Sequence, residues 1–210
     1  MNDQPQAAKR TRLARNSLYG VLSWVLPAAP SLIVTPVIVR RLGVADYGLY
    51  ATILGVTGYF FTTIIGKIAA KYVAEYRASA DNAKASELLS ATLIVAIIPT
   101  VFSLVVLYLV APWIVGEVLQ IEPSMQATAV RGLWLAGVII LLTAITQVWQ
   151  SALQGLQRFD TYLWVSNASS LALSVGLIIV ALAGGDVVSL LEWAAVAAFL
   201  TLTFSILAVQ

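Results

Sequence analysis

Six stretches of this chain run without a single charged side chain: 16–39, 47–66, 88–116, 132–157, 161–185 and 193–210. A helix rises about 1.5 Å per residue, so about 20 apolar residues cross the ~30 Å hydrocarbon core of a bilayer. Five of the runs reach that length, and the sixth does so once 187–192 is added. Apolar residues make up 60% of the chain and charged residues 10%. A soluble domain carries about 25% charged residues, so too few remain here to cover a water-facing surface. Lipid is the natural solvent for most of this chain. The runs show neither the alternation nor the ten-residue periodicity of membrane strands, which argues against a β-barrel. The predicted fold is all-α and integral to the membrane: a six-transmembrane-helix bundle forming one unit, 16–210, behind a basic tail, 1–15. The spans are expected at about 16–39, 47–70, 88–111, 129–153, 161–184 and 187–209. Pro112 is expected to end the third helix, since proline cannot continue the backbone ladder.

Basic residues set the orientation. With the N-terminus in the cytoplasm, nine lie at or near that side: Lys9, Arg10, Arg12, Arg15, Lys67, Lys71, Arg77, Lys84 and Arg158. Three, Arg40, Arg41 and Arg131, lie at or near the other. The segment 71–87 then becomes the main cytoplasmic loop, a helical extension of the second span whose charges form a solvated face. The basic tail and first run differ from a cleaved signal peptide, because the run is too long and no clear A-x-A site follows.

Enzyme chemistry finds little to work with. The chain has no cysteine and no histidine, which removes thiol catalysis, the usual general base near neutral pH and the commonest metal ligand. Gly66-Lys67 lacks the upstream glycine of a phosphate loop, because position 61 is Phe61. Asp46, Glu117, Glu122, Asp160, Asp186 and Glu192 are scattered and form no metal pair. No catalytic residue, metal or cofactor is expected. A net charge of +2 is too small to point to nucleic acid.

Polar residues inside the spans carry the functional signal. Pro27, Pro30 and Pro36 crowd the first span, either as a static kink or as the hinge of a transporter. The fourth span carries Thr143, Thr146, Gln147, Gln150, Ser151, Gln154 and Gln157. Spacings of three and four place Gln147, Gln150 and Gln154 on one stripe. An unpaired amide in lipid costs several kcal/mol, so the stripe either bonds between helices or lines a wet cavity. Ser166, Ser170 and Ser174, with Ala168 and Ala172, read as a close-packing surface on the fifth span. Arg40, Arg41, Lys67 and Arg131 sit at span ends, where they snorkel to the headgroups or converge on an anion. Glu192 is an available partner for one of them.

Three ordered motifs carry a resemblance. Arg40-Arg41-Leu42-Gly43 followed by Asp46-Tyr47-Gly48-Leu49-Tyr50 resembles the loop after the first helix in the oligosaccharide flippase, or polysaccharide transporter, family. Gly66, then Lys71-Tyr72-Val73-Ala74-Glu75-Tyr76-Arg77, is similar to the end of that family's second helix. Ala152-Leu153-Gln154-Gly155-Leu156-Gln157-Arg158-Phe159 is similar to its fourth-to-fifth connection. Lys67 departs from the small or apolar residue expected after that glycine.

The resemblance implies the multidrug/oligosaccharidyl-lipid/polysaccharide exporter superfamily, with two six-helix lobes around a central cavity. This chain matches the first lobe. The implied function is translocation of undecaprenyl-diphosphate-linked oligosaccharide in cell-surface polysaccharide biosynthesis, at the inner membrane. Arg40, Arg41, Lys67 and Arg131 would hold the diphosphate, and Gln147, Gln150 and Gln154 would meet the sugar. The partners implied are that lipid-linked substrate, membrane lipid, and a second six-helix lobe or homodimer partner. Two alternatives remain: a cation-coupled multidrug exporter, disfavoured by the few carboxylates within spans, and a non-transporting scaffold. The chain is expected not to transport alone, since it stops in an apolar run, at Ile206-Leu207-Ala208-Val209-Gln210, without a basic anchor.

Overall fold

The computed structural model describes residues 30, 32–60, 65–78 and 82–209, and within these every regular element is helical. The basic tail, most of the first span, Pro27, Asp81 and the side chains of Lys67 and Arg77 lie outside the described residues. The elements are α1 (32–42), α2 (Val44–Phe60), α3 (Ile65–Ala78), α4 (Asn82–Trp113), α5 (Pro123–Gly155), α6 (Phe159–Leu182) and α7 (Val187–Val209).

Four of these helical stretches are long and apolar enough to cross a membrane: Ser86–Val118, Pro123–Gly155, Phe159–Leu182 and Val187–Val209. They make this a multi-pass membrane protein. Val44–Val56 is a shorter apolar helix. Aromatic side chains mark both ends of the long helices. Trp113, Trp134 and Trp193 sit toward the α4–α5 end, and Trp149, Tyr162 and Trp164 toward the α5–α6 end. Amphipathic rings collect at the two membrane–water interfaces in this way. The surface between them is apolar and open, with Ile98, Phe102 and Leu109 on α4 and Phe199, Phe204 and Leu207 on α7 all exposed.

Helix α5 is the hub, packing on α7 and α4 most extensively and on α3 and α2 as well. Its glycines explain why so many partners fit. A Cβ at Gly132 would meet Ile53 of α2 at 2.5 Å and Leu191 of α7 at 3.1 Å. One at Gly137 would collide with Leu104 of α4, and one at Gly155 with Val73 of α3 at 2.7 Å. Small residues let helices approach closely where lipid offers no hydrophobic drive to associate. The main buried cluster lies toward the α4–α5 end and joins Ile38, Ile53, Val115, Leu133, Leu190 and Leu191.

Helix α4 does not end at Pro112. It carries both Pro99 and Pro112, and continues into a π-helical turn, Ile114–Val118, closed by the Leu119 amide donating to the Ile114 carbonyl at 2.8 Å. Proline removes one rung of the ladder, and the chain widens into five-residue spacing rather than stopping. Pro36 likewise lies within a helical stretch, 32–42. The segment 71–87 is helical on either side of residues 79–81, and Lys71, Glu75 and Lys84 are exposed on it.

The serines of α6 keep to a packing side: Ser166, Ser170 and Ser174 are half-buried, on the face of the buried Leu177 and Ala181, whereas the neighbouring alanines are not. Ala168 and Ala172 are exposed, and α6 packs mainly on α7 and little on α5. The close approach occurs at Gly176, where a Cβ would overlap the Trp193 indole. The Trp193 Nε1 donates to the Leu173 carbonyl at 3.1 Å, fixing that ring.

Candidate functional site

The predicted polar residues divide between the two ends of the bundle. Arg40 and Arg41 close α1 immediately before the turn at Gly43, whose φ of +91° favours glycine. Both are exposed. The Gly43 amide donates to the Val39 carbonyl at 3.0 Å, and the Tyr47 amide donates to the Gly43 carbonyl at 3.2 Å. This tight link stacks α1 on α2, and Ile38 and Ile53 carry both helices into the cluster around Leu133 and Leu191. The arginine pair therefore belongs to the α4–α5 end.

Arg131 lies at the same end, eight residues into α5, with its side chain 67% exposed. Its guanidinium stands 3.7 Å from the Glu192 carboxylate on α7. The expected pairing of Glu192 with a span-end cation is thus made, though at a length beyond a hydrogen bond. Just above, Asp186 caps α7. Its carboxylate accepts from the Ser189 amide at 2.8 Å and the Ser189 hydroxyl at 2.6 Å. Those bonds hold the Asp186 carboxyl below the usual carboxylate range, with a smaller contribution from the Arg131 charge.

Between α4 and α5 at this end lies a cavity of about 510 Å³. Pro112 and Val115 form one wall, and Gln126, Val130, Arg131 and Trp134 the other. The Trp134 ring stacks on Tyr108, with centroids 4.6 Å apart. Gln126 is tied down by a bond from its Nε2 to the Ile121 carbonyl at 2.9 Å. The cavity was not anticipated from sequence. The spacing of Gln126, Val130, Arg131 and Trp134 marks one helix face, but the opposing wall depends on Pro112 sitting inside a continuing helix.

The glutamines occupy the other half of α5. Gln147, Gln150 and Gln154 are all half-buried, on the side away from the buried Ala144, Val148 and Ala152. The hydroxyls around them are satisfied within the helix: Thr143 donates to Ile139, Thr146 to Leu142 and Ser151 to Val148, each at 2.7 Å. No bond joins the three amides to another described residue. One buried side-chain atom lacks a partner among the described residues, the hydroxyl of Ser205 toward the end of α7. From Arg131 to Gln147 the helix climbs about 24 Å, so the arginines and the glutamine stripe are not one first contact surface. Lys67 lies on α3, whose Val73 packs against Gly155 near the glutamine end.

The arrangement has two polar stations on one long helix, cationic at one end and amide-rich at the other. A family model described as polysaccharide biosynthesis protein matches residues 13–210. No curated protein and no solved structure matches the chain.

Proposed function

The chain belongs to the polysaccharide biosynthesis protein family, whose members are in general transporters rather than enzymes, and from that premise we propose that it flips a lipid-linked oligosaccharide across the membrane. The carrying observation is the family match over nearly the whole chain, joined to multiple apolar spanning helices. A polysaccharide pathway needs its hydrophilic intermediate moved through lipid, and a chain made of spanning helices suits that step.

In this reading the substrate is an undecaprenyl-diphosphate-linked oligosaccharide. Arg40 and Arg41 hold the diphosphate, because guanidinium binds phosphate oxygens through paired donors. Lys67 and Arg131 rank behind them, Arg131 because it already faces a carboxylate. Gln147, Gln150 and Gln154 meet the sugar, for which amides offer both donors and acceptors. The two stations, about 24 Å apart, suit a substrate passed between ends in an alternating-access cycle. The glutamine face, which bonds to no other described residue, supports a second six-helix lobe, from another chain or a second copy, closing the pathway. The protein sits in the inner membrane, with its N-terminus cytoplasmic.

The test is a reconstituted vesicle assay that follows a fluorescent lipid-diphosphate oligosaccharide from one leaflet to the other. Wild-type chain should transfer it faster than protein-free vesicles. Arg40→Lys with Arg41→Lys should slow transfer although charge is kept, by about tenfold or more. Full activity in Arg40→Gln with Arg41→Gln would reduce the pair to headgroup anchors.

A further inference from the structure

We propose that the cavity between α4 and α5 is a binding site for an aminophospholipid, a lipid whose headgroup carries a phosphate and a primary ammonium. Three observations converge on that chemistry. The first is the cavity's make-up. Pro112, Val115, Val130 and Trp134 give an apolar lining, and Arg131 supplies a cation at its edge. Pockets of this size and balance take amphiphilic ligands, with the polar group fixing orientation.

The second is the charge pattern beside it. Arg131 is not alone: the Glu192 carboxylate stands 3.7 Å from its guanidinium. Asp186 is near enough for the Arg131 charge to act on it. A simple anion would meet one attraction and two repulsions here. A phosphate–ammonium zwitterion meets the reverse, with its phosphate on Arg131 and its ammonium on Glu192. The pair is too long for a direct hydrogen bond, and both side chains are more than half exposed, so each keeps donors or acceptors for a ligand. Asp186 is already engaged with Ser189, which leaves Glu192 as the ammonium's partner.

The third is continuity with an apolar track. Leu109, Val105, Phe102 and Ile98 are exposed on α4 at spacings of four, three and four, continuing the face of Pro112. From Pro112 to Ile98 this track runs about 21 Å along the helix, enough for much of an acyl chain. The Tyr108 ring, beside Leu109 on this track, stacks on Trp134 of the cavity lining, so cavity and track are continuous. A free zwitterion in water would have no use for the track. The inference assigns Arg131 to a resident lipid in place of a second-rank role with the transported substrate, and stands whether or not the chain flips oligosaccharide.

The experiment is native mass spectrometry of the purified full chain, titrated with phosphatidylethanolamine, phosphatidylglycerol and diacylglycerol of matched acyl chains. The wild type should retain phosphatidylethanolamine at least about tenfold better than diacylglycerol, and better than phosphatidylglycerol. Arg131→Gln should abolish the advantage of both phospholipids over diacylglycerol. Glu192→Gln should raise phosphatidylglycerol to or above phosphatidylethanolamine, since it removes the ammonium's partner and one repulsion. Ala127→Trp, which fills the cavity from an exposed position and keeps every charge, should weaken both. Competition by phosphoethanolamine without acyl chains should be weak; equal competition would overturn the lipid half of the proposal. Unchanged phosphatidylethanolamine binding in both Arg131→Gln and Ala127→Trp would overturn the site. An unchanged lipid preference in Glu192→Gln would overturn the zwitterion assignment. No oligosaccharide enters this assay, so a negative result leaves the flipping reading untouched, and a failed flipping assay leaves this one standing.

Discussion

The contact between Gly176 and Trp193 illustrates how much a single hydrogen atom decides in this bundle. The indole lies where a Cβ would be, and its Nε1 bond to Leu173 keeps it there. Gly176→Ala should therefore push α6 away from α7 and destabilise the protein by about 1–3 kcal/mol, the usual range for overpacking. Gly55→Ala on α2, where nothing lies within 4 Å, is the matched control and should leave the melting temperature in detergent unchanged or slightly raised. Asp186 offers a pH-dependent counterpart. Its carboxyl is held below its ordinary value when the chain is folded, so it adds stability above the unfolded value near 3.9. That stability is lost as pH falls through the lowered folded value. Asp186→Ala should cost about 1 kcal/mol at neutral pH through loss of the α7 cap. Its melting temperature should converge with that of the wild type as the solution is acidified, whereas a constant gap down to pH of about 2 would detach the effect from the carboxylate.

Helix α5 shows at the scale of an element what sequence periodicity reveals and what it hides. The 3.6-residue repeat is enough to place Gln147, Gln150 and Gln154 on one stripe, and they do share a half-buried face. The same arithmetic cannot say which neighbours meet a face. The role of Gly132, Gly137 and Gly155 as seats for three different helices appears only once those helices are placed. The stripe of Ser166, Ser170 and Ser174 is half-buried, as its spacing suggests, but small residues permit close approach without choosing a partner, and the contact that excludes any Cβ falls at Gly176. Pro112 misleads, because the loss of one amide widens the helix into a π turn without ending it. The four long spans were legible because absence of charge over 20 residues admits few other structures, whereas the cavity needs two helices at once. Because the chain has no cysteine, single-cysteine variants report on α5 cleanly. Cysteines at 147, 150 and 154 should react with a membrane-impermeant thiol reagent, and cysteines at the buried positions 144, 148 and 152 should not. Protection at the first three with reaction at the others would remove the wet face from the account.

For the whole molecule, the charge asymmetry, the apolar spans and the family match bear on one claim, that this protein moves a polysaccharide precursor through the membrane. The claim separates synthesis from location. A flippase forms no glycosidic bond, so cells without it should still make the lipid-linked oligosaccharide but keep it on the cytoplasmic face. The direct measurement is therefore the leaflet in which that intermediate resides, read in spheroplasts by its susceptibility to an externally added, membrane-impermeant glycosidase. With the gene intact, the intermediate should be cleaved. With the gene deleted, it should accumulate in protected form, and be exposed again on complementation by the wild-type gene but not by the Arg40→Gln, Arg41→Gln double variant. An intermediate that is equally cleaved in the deletion strain, or that is no longer synthesised at all, would contradict the account.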